Sequence, residues 1–183
     1  MTIPNILTLS RIALIPVMVA LLWADNPTIR WWVFGLFAVI AVTDFFDGYL
    51  ARALNQTSAL GALMDPIADK VLVAALIVGL LARGDIARWD VACAILILAR
   101  EFLVSGLREF LAQRDLHLPV TKLAKWKTTA QLVALALLIL APLAEPGQLV
   151  AISAVWWIAT ALTLITGFDY LRSATRHLSA GEA

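Results

Sequence analysis

Charged residues are scarce in this chain. Asp, Glu, Lys and Arg make up 15% of its 183 residues and hydrophobic residues make up 62%, whereas soluble domains carry about 25% charged residues. This scarcity excludes an ordinary soluble domain and predicts an integral membrane protein. The chain also lacks a basic patch interleaved with aromatic residues, so we expect no nucleic-acid partner.

Cysteine is nearly absent, and no cleavable leader is recognisable. The lone Cys93 lies in the apolar run VACAILIL; it excludes an intrachain disulfide and is expected to be a small buried side chain. The opening MTIPNILTLSRIALIP has neither the basic segment nor the small-residue cleavage site of a signal peptide. We therefore expect the first apolar stretch to remain as a helix.

Long apolar stretches are what the chain has instead. Six of them reach the roughly 20 residues that a membrane-spanning helix needs, at 8–24, 31–52, 61–82, 90–112, 122–143 and 148–171. We expect an all-α integral membrane protein with six transmembrane helices in one bundle, formed as a single domain over residues 1–183. An even number of spans places both termini on the same side.

The charges between these stretches predict an orientation. The connections on one side carry three basic residues, and the opposite side carries seven, namely Arg52, Arg114, Lys122, Lys125, Lys127, Arg172 and Arg176. Basic residues accumulate on the cytoplasmic side of membrane proteins. We therefore expect a multi-pass protein of the cell (inner or plasma) membrane, with both termini in the cytoplasm.

Four aspartates interrupt the apolar sequence between residues 44 and 69. Asp44 and Asp47 are three residues apart and Asp65 and Asp69 are four apart, so each pair projects from one face of a helix. A carboxylate near the hydrocarbon layer is costly unless it is paired, hydrated or bound to a cation. Two helices joined by a short turn can direct four carboxylates at one point, where they could bind one or two divalent cations. Carboxylate ligands suit both Mg²⁺ and Mn²⁺.

The residues around these aspartates are suited to a diphosphate. Gly48 and Gly61 allow the backbone to approach a ligand closely. Arg52, one helical turn after Gly48, can hold a phosphate oxygen through paired donors. A carboxylate not fully committed to the metal can accept a proton from an attacking hydroxyl. Pro66 is expected in the first turn of its helix, where its missing N–H is harmless.

Read as a motif, this segment is Asp44-x2-Asp47-Gly48-x2-Ala51-Arg52-x8-Gly61-x3-Asp65-x3-Asp69. It resembles the complete signature of the CDP-alcohol phosphotransferases. The resemblance implies a homodimeric six-helix membrane enzyme that transfers a phosphatidyl or related group from a CDP-linked donor to an alcohol and releases CMP. It also implies site residues: a metal held by Asp44, Asp47, Asp65 and Asp69, Asp69 as the base, and a CMP moiety bordered by Gly48, Ala51, Arg52 and Gly61.

Four basic residues outside the signature indicate an anionic acceptor, most simply a phosphate: Arg100, Arg108, Lys125 and Lys127. Arg100 and Arg108 lie within the fourth stretch, where Glu101 and Arg108 share a helix face. The segments PNILTLSR, REFLVSGLRE and KWKTTAQ resemble the branch of the family that uses CDP-diacylglycerol as donor and sn-glycerol 3-phosphate as acceptor. Ordinary flanking charges are the alternative explanation for these four basic residues, and it fits the two lysines better than Arg100 and Arg108, which lie within the stretch.

Three polar residues of the first stretch are further candidates for the donor site. Asn5, Thr8 and Arg11 lie at its cytoplasmic start and could meet the nucleotide or the diphosphate. Helix capping and snorkelling of the long side chain towards the membrane surface explain them equally well.

Other functions stay open at this point. Within the family the acceptor could be phosphatidylglycerol, as in cardiolipin synthase, or an inositol phosphate. A small cation or proton transporter would also bury carboxylates in a helix bundle, but the second and third stretches become apolar beyond the cluster, which favours a one-sided pocket. A membrane scaffold is a further alternative, but it gives no reason for the glycines at 48 and 61.

Overall fold

The computed structural model describes the backbone of residues 3–53, 59–114 and 122–181, and within these the side chains of residues 8–43, 64, 66–114, 123 and 125–176. This part of the chain is helical, which confirms the all-α prediction. The helices are α1 (Ile3–Leu22), α2 (Pro27–Ala53), α3 (Ala59–Arg83), α4 (Asp90–Ala112), α5 (Lys122–Leu140) and α6 (Pro146–Gly181). A short 3-10 turn over Ala141–Leu143 follows α5.

The helices overlap all six predicted spans, although α1 and α2 begin four or five residues earlier than predicted and α6 ends later. Helix α4 begins and ends at the predicted residues. Helix α6 is 36 residues long and continues past its predicted end at Leu171 to Gly181. Its length is about 54 Å, well beyond the roughly 30 Å of a hydrocarbon core. The apolar run ends at Leu171, but no proline or glycine stops the helix until Gly181.

Pro66 lies inside α3, so its predicted place in the first turn is wrong. The helix begins at Ala59, about two turns earlier. The alanines and leucines before Pro66 favour helix and extend it upstream. An interior proline removes one hydrogen bond from the helical ladder. Lys70, one turn later, donates its Nζ to the Pro66 carbonyl at 3.1 Å.

Helix α3 ends at Arg83, one residue beyond its predicted stretch, and Gly84 follows it. This residue has φ = +79°, a left-handed conformation that glycine adopts without strain. The backbone N–H of Gly84 donates to the Leu81 carbonyl at 3.0 Å, and that of Asp85 donates to the Leu80 carbonyl at 2.9 Å. These two bonds form a Schellman motif and satisfy carbonyls that the helix end would leave unpaired.

The chain divides into two compact units. The first comprises residues 1–86 and 135–145, and the second comprises residues 87–134 and 146–183. In the first unit α1 packs against α2 and α3. Helices α1 and α3 approach closely at Gly79, where an added Cβ would lie 3.2 Å from the Leu22 side chain. The single-domain organisation over residues 1–183 stays a prediction.

An ionic cluster ties the helix ends of the first unit together. The buried Arg30 of α2 donates to Asp85 Oδ2 at 2.7 Å and to the Ile139 carbonyl at 3.4 Å. Arg83 donates to Asp25 Oδ1 at 2.8 Å, and this hydrogen bond holds the pKa of the Asp25 carboxyl below its ordinary value of 3.8. These four charged residues therefore pair with one another, which offsets the free-energy cost of burying Arg30.

In the second unit α4 packs against α6. Asp90, the first residue of α4, joins the two helices at one end. Its carboxylate Oδ1 accepts hydrogen bonds from Ser153 Oγ at 2.8 Å and Trp157 Nε1 at 2.9 Å, and its carbonyl accepts one from Trp156 Nε1 at 3.1 Å. Cys93 is fully buried, as predicted for a small hydrophobic side chain.

Two helical stretches of the described chain are long and apolar enough to cross a membrane. They run over Lys125–Leu143 and Pro146–Arg176. Shorter apolar helical stretches cover Thr8–Leu22 and Pro27–Thr43. Six membrane spans with cytoplasmic termini stay a prediction.

Candidate active site

The aspartate motif occupies the end of α2 and the beginning of α3. Asp44 and Asp47 lie in about the last three turns of α2, and Asp65 and Asp69 lie in about the first three turns of α3. Both pairs are therefore helical, as their spacing required. Among the predicted donor-site and metal residues, the following have side chains outside the described residues: Asn5, Asp44, Asp47, Gly48, Ala51, Arg52, Gly61 and Asp65.

Asp69 is the motif residue whose side chain the structure describes, and it lies beside Arg11. Arg11 Nη1 is 3.4 Å from Asp69 Oδ1, a long contact for a charge-assisted hydrogen bond. Arg11 is 3% exposed and Asp69 is 53% exposed. A residue predicted for the diphosphate and a residue predicted for metal binding and proton transfer therefore meet across α1 and α3.

Helix capping does not explain the polar residues of α1. The helix begins at Ile3, so Asn5 and Thr8 lie inside it rather than at its cap. Thr8 and Arg11 are both buried and, three residues apart, share a face. The buried Arg11 pairs with Asp69 rather than snorkelling to a membrane surface.

The donor set suits a hard divalent cation. Four aspartates supply oxygen ligands only, which Mg²⁺ and Mn²⁺ prefer. Their helical spacing lets each pair project from one face, and the Asp69 side chain is 53% exposed to solvent. Among the side chains that the structure describes, no three acidic, histidine or cysteine residues cluster, and three of the four predicted ligands are outside that set.

The second unit gathers predicted acceptor residues around one carboxylate. Lys127 Nζ of α5 donates to Glu101 Oε1 of α4 at 2.5 Å, and Arg100 Nη1 donates to the same oxygen at 3.1 Å. Arg100 Nη2 also donates to Thr166 Oγ1 of α6 at 3.2 Å. Three helices thus contribute to what we call the Glu101 cluster: Arg100, Glu101, Lys127 and Thr166.

Arg108 belongs to the surroundings of this cluster, whereas Lys125 is turned away from it. The charge of Arg108 acts on Lys127 together with that of Arg100, and its guanidinium carbon lies 5.6 Å from the centre of the Tyr170 ring. Residues two apart on a helix point about 200° apart. Because Lys127 is buried at Glu101, Lys125 faces the exposed side of α5.

Sequence reasoning missed Glu101, Thr166 and Gly167 as parts of this site. An added Cβ at Gly167 would lie 2.8 Å from Arg100 Cγ, so the glycine makes room for the arginine across α6. Glu101 carried a signal, since it shares a face with Arg108 in an apolar stretch. The sequence signal for Thr166 and Gly167 was weaker, because they are simply small residues within a long apolar helix.

Comparison with protein families decides the class of this chain. The sequence pattern of CDP-alcohol phosphatidyltransferases matches residues 1–167, which include the whole aspartate motif and the Glu101 cluster. The chain belongs to the CDP-alcohol phosphatidyltransferase family. Membership confirms the resemblance of residues 44–69 and places the chain among enzymes. The transporter and scaffold alternatives are therefore removed.

Similar members of the CDP-alcohol phosphatidyltransferase family share one name, CDP-diacylglycerol–glycerol-3-phosphate 3-phosphatidyltransferase. The protein of that name from Rickettsia bellii is 43% identical over 179 residues, with 96% of each chain covered. The one from Cereibacter sphaeroides is 42% identical over 214 residues, with 97% of each chain covered. The one from Escherichia coli is 40% identical over 181 residues, with 96% of each chain covered.

Proposed function

We propose that this chain transfers the phosphatidyl group of CDP-diacylglycerol to sn-glycerol 3-phosphate, forming phosphatidylglycerophosphate and CMP in phospholipid biosynthesis. The observation that carries the proposal is similarity along nearly the full chain to relatives named for this reaction. The Glu101 cluster supports it independently, because the buried Lys127 and the mostly buried Arg100 around a single carboxylate leave a positive charge for an acceptor phosphate.

The donor is assigned to the aspartate motif and α1. Asp44, Asp47, Asp65 and Asp69 would hold one or two Mg²⁺ or Mn²⁺ ions, and the bound cation would neutralise charge on the diphosphate. The nucleotide and diphosphate would be bordered by Asn5, Thr8, Arg11, Gly48, Ala51, Arg52 and Gly61. The contact between Arg11 and Asp69 supports grouping these residues into one site.

The chemistry assigned to the protein is proton transfer and positioning. Asp69 accepts the proton of the 1-hydroxyl of glycerol 3-phosphate, and that oxygen forms a bond to the phosphorus attached to diacylglycerol. The bond between this phosphorus and the bridging oxygen breaks, and CMP leaves with the electron pair. Arg52 and Arg11 would offset the charge that develops on the leaving phosphate. Holding both substrates in line supplies much of the rate.

The acceptor phosphate is assigned to Arg100, Arg108, Lys125 and Lys127. Arg100 and Lys127 are held by Glu101, and Arg108 lies within electrostatic reach of Lys127. Lys125, on the exposed side of α5, has the more peripheral place among the four.

The membrane setting completes the proposal. We assign six spans, both termini and the active site on the cytoplasmic side of the cell membrane, and a homodimer. Two apolar helical stretches of membrane-spanning length and the excess of basic residues on one side support this topology. In this setting CDP-diacylglycerol enters from the surrounding lipid, and glycerol 3-phosphate enters from the cytoplasm.

The proposal is tested by offering the purified full-length protein CDP-diacylglycerol, Mg²⁺ and a set of acceptors. The set contains glycerol 3-phosphate, glycerol, phosphatidylglycerol and an inositol phosphate. CMP release is followed and the lipid product is identified by mass spectrometry. We expect phosphatidylglycerophosphate with glycerol 3-phosphate and no product with glycerol. Turnover with another acceptor and not with glycerol 3-phosphate would replace this assignment.

A further inference from the structure

Glu101 is not among the residues predicted to bind a substrate, yet its carboxylate lies between two residues assigned to the acceptor phosphate. Its Oε1 atom accepts hydrogen bonds from Lys127 Nζ at 2.5 Å and from Arg100 Nη1 at 3.1 Å. The three side chains are 18%, 8% and 12% exposed, respectively. The contacts join α4 to α5.

A shared carboxylate oxygen holds two cations at a short separation. Without it, the buried Lys127 and the mostly buried Arg100 would repel each other and would each lack a counter-charge, which is strongly unfavourable. With it, one of the two positive charges is offset and the other is left over. Arg108 adds a further positive charge that acts on Lys127. The cluster is therefore stable enough to form and still attractive to an anion.

The orientation of Arg100 is restricted from two sides. Its Nη1 is directed at Glu101, and its Nη2 donates to Thr166 Oγ1 at 3.2 Å. The stem of the side chain lies over Gly167, where an added Cβ would be 2.8 Å from Cγ. Each of Nη1 and Nη2 carries two N–H donors, so each keeps one donor after these bonds, and Lys127 keeps two of its three.

We propose that Glu101 is a positioning residue for the acceptor phosphate, an inference that rests on the proposed function. Glu101 does not touch the substrate. It fixes Lys127 and Arg100 so that their remaining N–H donors converge on a phosphomonoester. The diphosphate of the donor lipid has the same chemistry, so the test separates binding of the two substrates.

The test uses the Glu101→Gln variant of the full-length protein, which keeps the shape of the side chain and removes its charge. We expect the KM for glycerol 3-phosphate to rise about tenfold or more, since hydrogen bonds to charged groups are lost. The KM for CDP-diacylglycerol should stay within about twofold, and kcat should fall less than the acceptor KM rises. Inorganic phosphate should weaken as a competitor of the acceptor in parallel.

Glu109→Gln is the matched control. Glu109 lies on the same helix and is exposed, so the same change of charge there should leave both KM values within about twofold of the wild type. Glu101→Asp is the second variant. It retains the charge with a shorter reach, and it should give an acceptor KM between those of the wild type and Glu101→Gln.

Three outcomes overturn the inference. The first is a wild-type acceptor KM in Glu101→Gln. The second is a rise of both KM values together with an equal loss of kcat, which indicates damage to the fold alone. The third is used if Glu101→Gln does not fold: Glu101→Asp then has the same acceptor KM as the wild type. Failure of the wild-type protein itself to use glycerol 3-phosphate would instead contradict the proposed function.

Discussion

The ion pair between Arg11 and Asp69 has one buried member and one half-exposed member. The arginine of α1 is buried beside α3, whereas the carboxylate keeps a solvent-accessible side. Such a pair orients a carboxylate without enclosing it. This arrangement suits a group that must hold a cation and also accept a proton, because both need an accessible oxygen.

Asp69→Asn should therefore remove turnover while the fold is retained. The amide cannot accept the hydroxyl proton, and loss of a general base lowers kcat by about 10²- to 10⁴-fold. CMP release in the presence of CDP-diacylglycerol and glycerol 3-phosphate measures the effect, and binding of CDP tests whether the donor site survives.

Asp25→Asn is the control for this variant. Asp25 is an exposed carboxylate in the α1–α2 connection, paired with Arg83, and exposed pairs contribute little to stability. Its turnover should equal that of the wild type. If Asp69→Asn also keeps near-normal turnover, Asp69 is not the base.

At the scale of helices, Gly167 shows how α4 and α6 accommodate a mostly buried arginine. Arg100 passes over the surface of α6 at this glycine and reaches Thr166 on the same helix. A side chain at residue 167 would occupy the space of the arginine stem. Gly167 therefore leaves the space that the Arg100 stem occupies beside α6.

Gly167→Ala should displace Arg100 and weaken acceptor binding. A Cβ at 2.8 Å from Arg100 Cγ requires the arginine to move, since real Cβ contacts are longer. We expect the KM for glycerol 3-phosphate to rise about tenfold, because small misplacements of positioning groups are costly. Steady-state kinetics with varied acceptor concentration measure it.

Gly147→Ala provides the comparison on the same helix. No atom lies within 4 Å of an added Cβ at Gly147, so this variant should behave as the wild type. An unchanged acceptor KM in Gly167→Ala would mean that the precise place of Arg100 does not matter for the acceptor.

Helix boundaries show where prediction from the sequence works. The ends of α4 follow from the apolar run and its polar flanks, and the end of α3 follows from Gly84. Apolar runs locate the membrane exit rather than the helix end, which is why α6 exceeds its predicted length. The start of α3 was misplaced because upstream helix formers outweigh the signal of an N-terminal proline at Pro66.

For the whole molecule, topology decides whether the proposed site faces the cytoplasm. Helix α4 is the informative element. It carries charged residues at Asp90, Arg100, Glu101, Arg108 and Glu109. Among the described residues, the stretches that qualify as spans by apolar composition are in α5 and α6. Helix α4 is nevertheless long enough to cross a membrane, with 23 residues at about 1.5 Å per residue.

Single cysteines at the two ends of α4 test the topology. Ala87 and Gln113 are exposed and flank the helix. In intact cells a membrane-impermeant thiol reagent should label Ala87→Cys and not Gln113→Cys, and both should be labelled after permeabilisation. The buried native Cys93 should remain unlabelled in the parent protein.

Two other labelling patterns would contradict the six-span topology or its orientation. Equal labelling of the two cysteines in intact cells means that α4 does not cross the membrane. Labelling of Gln113→Cys alone means that the orientation is reversed and that the acceptor site faces away from the cytoplasm.

The sequence by itself determined which segments are helical, the pairing of the four aspartates on helix faces and the family. These are local properties, since helical periodicity and motif spacing depend on residues a few positions apart. Tertiary structure decided which distant side chains meet. Arg11 reaches Asp69 across 58 residues, and Glu101 reaches Lys127 across 26. In sequence Lys125 and Lys127 are equally good candidates, and only the rotation of α5 against α4 buries Lys127 at Glu101. Such rotations depend on how whole helices pack, which no local pattern specifies.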